Sequence, residues 1–182
     1  MDIQIPKSVA REVRTALAFY PELENVPIEF KFRKNIRKST MLAQPGWSSF
    51  FKRKSQRKYI IWISEKSKIS KEAFSTKDLP PDVLIGWFGH ELGHIMDYET
   101  LSNWKLILFG IKYLLSEGYV KAAEQRADHF AIKHGMVEYI LTTKNFILNH
   151  ADISERYKNH IQRFYLSPNE IEQLVMEDQD LS

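Results

Sequence analysis

Beyond an N-terminal helix, the hydrophobic pattern of this 182-residue chain changes period once, near Pro80-Pro81, and that change limits the folds open to it. Before it, Ile28, Phe30 and Phe32 alternate with Glu29, Lys31 and Arg33, as in a strand with one buried face. Residues 40–43 read as a second strand and Pro45-Gly46 as a turn. Residues 59–63 (YIIWI) are continuous, aromatic and β-branched, as expected of a more central strand. After it the spacing is helical. Two prolines can open a helix, and residues 83–98 are apolar on most sides, so that helix should be buried. Residues 103–115 read as a helix or hairpin, and 117–134 as a helix closed by Gly135. Helices are expected over 136–149 and 153–166. Ser167-Pro168-Asn169-Glu170 then opens a last one with a capping box and a proline at its first position. At the N-terminus Val9, Val13, Ala16, Leu17 and Tyr20 predict an amphipathic helix over 7–19 that stops at Pro21. A small sheet followed by helices is an α+β fold. No repeat, low-complexity tract or linker divides it, so one domain over 1–182 is expected.

Composition excludes several chemistries. With no cysteine there are no disulfides, thiolate ligands or cysteine nucleophiles. No signal-peptide stretch shows in residues 1–20, and no run approaches the roughly 18 apolar residues of a bilayer span. The longest apolar block, 104–115, is broken by Lys105, Gly110 and Lys112; it reads as a helix covering the site, a lid or a membrane-surface contact. A cytoplasmic, soluble protein is the expectation. The net charge of +3 hides a segregation, because ten basic residues and no acidic one fall between positions 31 and 58. They are Lys31, Arg33, Lys34, Arg37, Lys38, Lys52, Arg53, Lys54, Arg57 and Lys58. This basic hairpin suits an anionic partner such as acidic peptide, nucleic acid or lipid, although lysine and arginine also guard strand edges.

The buried helix carries His90-Glu91-Leu92-Gly93-His94, an HExxH motif. Residues four apart lie about 40° apart around a helix, so both imidazoles can converge on one ion while Glu91 stands beside it as a base. Burying two histidines and a glutamate on an apolar helix is costly without a partner, and a metal supplies one. Further on, Glu124-Gln125-Arg126-Ala127-Asp128 offers the third ligand in Glu124. One turn later, Asp128 can hold the spare N–H of a ligand histidine. Gly86, Gly89 and Gly93 on the first helix and Ala123, Ala127 and Ala131 on the second form stripes that predict close packing.

HELGH followed about thirty residues later by E-x-x-A-D resembles the gluzincin clan of zinc peptidases. Within it, the likeness is to the minigluzincin-like cores related to the CAAX prenyl proteases and heat-shock-induced membrane proteases. The resemblance covers roughly residues 87–135 and implies a zincin-like fold. It implies Zn2+ held by His90, His94 and Glu124, Glu91 as catalytic base and Asp128 as the carboxylate that accepts the spare N–H of a ligand histidine. It also implies a peptide or protein substrate held in extended form along the edge of the sheet. Without transmembrane helices, the likeness does not extend to a prenylated substrate.

The expected activity is therefore zinc-dependent peptide-bond hydrolysis. A deformylase would need a cysteine ligand, and no acidic exopeptidase signature marks an aminopeptidase. The alternative is an inactive or regulatory zincin-fold binding module that engages nucleic acid, anionic membrane or an acidic partner through its basic hairpin. Asp97 is too far along the helix to share the ion and should pair with a base. His129 should face away from the site, and His134 should meet a helix C-terminus. His150, His160, Arg156, Tyr157 and Tyr165 are candidates for the donor that steadies an oxyanion.

Overall fold

Strand β3 (Tyr59–Ser64) is the centre of a three-stranded sheet, with β1 (Ile28–Arg33) parallel on one side and β2 (Met41–Pro45) antiparallel on the other. A computed structural model describes residues 4–34, 36, 39–67, 74–150 and 152–180. Ile61 and Ile63 on β3, Ile28 and Phe30 on β1, and Met41 and Ala43 on β2 are buried, as the period-two pattern predicts. The basic segment 31–58 is not a hairpin of neighbouring strands, because β3 lies between β1 and β2. Arg37 and Lys38, two of its ten cations, lie outside the described residues. Arg57 is itself buried, bonding Asn103 Oδ1 and the Tyr98 carbonyl. A short pair, β4 (Lys66–Ser67) and β5 (Phe74–Ser75), follows the sheet.

The remainder is helical: α1 (Ala10–Ala18), α2 (Pro81–Thr100), α3 (Asn103–Leu115), α4 (Glu117–Lys133), α5 (Val137–Asn149), α6 (Glu155–Phe164) and α7 (Pro168–Asp180). The architecture is α+β. Helix α2 is its axis, packed upon by α1, β2, α4 and α5 and buried on every side. That is why its sequence shows no polar face. Gly135, at φ +80°, ends α4: its N–H bonds the Ile132 carbonyl, and the Met136 N–H bonds that of Ala131. The α7 capping box forms reciprocally, with Glu170 Oε2 accepting from Ser167 N–H at 2.7 Å and Ser167 Oγ from Glu170 N–H at 3.3 Å. Among the described residues no helix is long and apolar enough to cross a membrane.

The glycine stripe of α2 serves two neighbours rather than one. A Cβ at Gly93 would stand 2.4 Å from the Ala127 carbonyl oxygen of α4, the approach the small residues predict. One at Gly86 would meet the Tyr139 carbonyl of α5, and one at Gly89 the Met136 side chain. Close packing thus fixes α2 against α4 and α5 together.

Candidate metal centre

His90, Glu91 and His94 come from the middle of α2, and Glu124 and Asp128 from the facing turns of α4. All five are buried, with exposures between 1% and 6%. Nε2 of His90 and Nε2 of His94 lie 3.1 and 3.3 Å from the same oxygen, Oε2 of Glu124. One ligand atom from each residue falls within 4.8 Å of the other two. Ligands bonded at roughly 2.1 Å around a tetrahedral ion stand about 3.4 Å apart. The two nitrogen–oxygen spacings here are close to that value.

The protonation pattern supports the fit. Asp128 Oδ1 lies 2.9 Å from Nδ1 of His90, so the carboxylate keeps a proton on Nδ1 and turns Nε2 toward Glu124. Nε2 facing a carboxylate calls for a proton or a metal ion between the two. Burial opposes a charge on His90. Hydrogen bonds to Asp128 and Glu124, with the charges of both, outweigh burial and raise its pKa to about 10. Against burial, the charge of His94 and hydrogen bonds from both histidines hold the Glu124 carboxyl well below the usual range. The pocket is built to contain positive charge, and two imidazole nitrogens and one carboxylate suit a divalent transition ion. Nδ1 of His94 is buried with no partner among the described residues, so only one of the two rings is fixed from behind.

Glu91 has a different environment. Burial raises its pKa, against the charges of His94 and His90 and a hydrogen bond from the Ala43 backbone. That bond, N–H to Oε2 at 2.6 Å, comes from edge strand β2. The Ala43 carbonyl accepts from the Tyr98 hydroxyl at 3.3 Å, and the Tyr98 ring stacks on His94. Both outward-facing backbone groups of Ala43 are thus taken by α2.

Three contributions were not read from the sequence. Tyr113 on α3 donates its hydroxyl to Glu124 Oε1 at 2.5 Å. Lys144 on α5 is buried, with Nζ 2.7 Å from Asp128 Oδ2, and the Leu166 N–H reaches the same oxygen at 3.1 Å. Tyr98 is the third. Two of them had a signal: Tyr113 follows Leu106 and Phe109 on one stripe, and Lys144 occupies the buried stripe of Ile140, Thr143 and Ile147. A cation at a core position asks for an anion.

The remaining candidates separate by position. Asp97 pairs with Arg126 at 3.0 Å. His129 bonds back to the Gln125 carbonyl, and His134 bonds the Phe130 carbonyl near the end of α4 while stacking on Tyr20. Arg156 is exposed, His150 pairs with Asp152, and the His160 ring lies against Phe164. Tyr165 lies beside His90, ring centroids 5.2 Å apart. Tyr157 and Tyr165 are both held protonated, chiefly by burial, and the Glu91 and Glu124 charges add to the effect. No protein-family model, curated protein or solved structure matches the chain.

Proposed function

We propose that the chain is a zinc metallopeptidase of gluzincin type with a zincin-like fold, cleaving peptide bonds in a peptide or protein substrate. The observation that carries this reading is the convergence of two imidazole nitrogens on one carboxylate oxygen at coordination spacing, with Glu91 alongside on the same helix. A divalent ion held by His90, His94 and Glu124 supplies Lewis-acid polarisation of a carbonyl and lowers the pKa of water. Glu91, made more basic by burial, takes the proton of the attacking water and returns it to the leaving amine. Asp128 keeps Nδ1 of His90 protonated, and Lys144 keeps Asp128 charged. The Tyr157 and Tyr165 hydroxyls, protonated throughout, are the neutral donors available to a developing oxyanion.

An extended substrate lies along β2, the edge strand beside α2. Its arrival at Ala43 displaces the Glu91 carboxylate from the backbone N–H and frees it as a base. The site residues are buried, and Tyr113 bridges α3 to Glu124, so α3 moves aside when substrate enters.

Metal analysis joined to a peptide-library cleavage assay tests the reading. Purified protein should hold about one zinc per chain and cut peptides. Glu91→Gln should keep the metal and lose the cleavage. Protein that takes up no zinc when it is offered would falsify the proposal, as would full activity in Glu91→Gln.

A further inference from the structure

Helix α3 is turned the wrong way for a helix in water. Only Leu106 and Phe109 are buried, with Tyr113 half-buried on the same side. On the opposite side Trp104, Ile107, Ile111, Leu114 and Leu115 are exposed, Leu114 and Leu115 at 84% and 82%. At about 100° per residue these five fall within an arc of roughly 100°, and Lys105 and Lys112 flank it. Gly110 beside this arc faces open space among the described residues.

The loop between β2 and β3 adjoins the start of α3. Asn103, the first residue of α3, donates to the carbonyls of Phe50 and Lys52 and accepts from Arg57, which fastens the loop to the helix. That contact sets Trp47 and Phe51, exposed at 84% and 87%, on the loop beside α3. Lys52, Arg53, Lys54 and Lys58 are exposed on the same loop. Neither residues 46–58 nor residues 101–116 contain an aspartate or glutamate.

We propose that α3 and the 46–58 loop form a docking surface for an anionic lipid bilayer. The charge pattern selects this occupant. Exposed tryptophan, phenylalanine and leucine enter the boundary between headgroups and acyl chains, and the surrounding cations meet the lipid phosphates. Two copies of the face brought together would oppose like charges. A nucleic acid would use the cations and leave the apolar arc in water. No described helix is long and apolar enough to cross a membrane, and the proposed contact is one with the bilayer surface. The inference does not depend on the hydrolase reading.

The test is co-sedimentation of the full chain with mixed phosphatidylglycerol–phosphatidylcholine vesicles and with pure phosphatidylcholine vesicles, together with tryptophan fluorescence. Binding should favour the anionic vesicles by about tenfold or more, weaken with salt, and shift the emission to shorter wavelength. Lys52→Gln/Arg53→Gln/Lys54→Gln should weaken it about tenfold, and Phe51→Ser/Leu114→Ser/Leu115→Ser should do the same. All six side chains are exposed, so both variants should fold, as circular dichroism would verify. Three results would overturn the proposal: no vesicle binding; vesicle binding indifferent to the apolar variant but matched by DNA binding; or a dimer in sedimentation velocity that the apolar variant abolishes.

Discussion

Asp128 accepts from three donors at once: Nδ1–H of His90, the Lys144 ammonium and the Leu166 N–H. Asp128→Asn should lower zinc affinity by roughly 10–100-fold. It also strands the buried Lys144 charge, at a cost of about 3 kcal/mol in urea denaturation. Adding Lys144→Met should restore stability but not affinity, which separates the two roles. Glu124→Ala, losing a ligand outright, should weaken zinc binding further in competition with a chelator; unchanged affinity would remove Glu124 from the ligand set. His90 adds a proton signature. Its pKa in the metal-free protein is raised to about 10, so it carries a charge at pH 7 that ion binding must expel. Protonation of His90 favours the metal-free form at every pH below about 10, and this advantage fades as pH climbs toward that value. Zinc affinity should therefore rise with pH over that range. Calorimetry in buffers of different ionisation enthalpy should show net proton release. The grouping of His90, His94 and Glu124 was legible because HExxH spacing and E-x-x-A-D are local patterns on one helix face each. Tyr113 was not, because it reaches Glu124 from a separate helix whose crossing angle no local pattern encodes.

Helix α2 meets α4 so closely that Gly93 leaves no room for a methyl group against the Ala127 carbonyl. Alanine is the better helix former by up to about 1 kcal/mol. Overpacking against rigid backbone costs about 1–3 kcal/mol, so it should win. Gly93→Ala is expected to lower the urea midpoint and, by separating Glu124 from the histidines, to weaken zinc binding. A variant more stable than wild type with unchanged metal affinity would show that the approach is not needed. Helix ends were well marked in the sequence: Pro81, Gly135 and Ser167-Pro168 act through their own backbone preferences and needed no tertiary context. The partners of Gly86 and Gly89 were harder to read. A glycine announces that something approaches closely without saying what, and here it is α5 and Met136 as well as α4.

For the whole molecule, an ion bound only by the folded chain stabilises it by mass action. Free zinc at about 100 times its dissociation constant should contribute ~2.7 kcal/mol, raising Tm by roughly 5–10 °C for a chain of this size. Chelator should reverse the gain in wild type and have little effect on Glu124→Ala. Scanning calorimetry decides it. The class of fold was visible from the one change of period, yet the strand order was not. Strand β1 pairs parallel with β3 and skips β2, an order that no turn signal in the sequence encodes.

A three-stranded sheet has two rims, and β1 has one covered in part, where Gln4 bridges to Glu29. The other is sealed at its midpoint by Glu91 and Tyr98, which occupy the Ala43 amide and carbonyl. Bare strand rims template stacking between molecules, a route to aggregation. The carboxylate proposed for chemistry therefore also acts as a stopper against self-assembly. Removing it altogether, unlike exchanging it for an amide, should make concentrated solutions cloud and bind amyloid dyes.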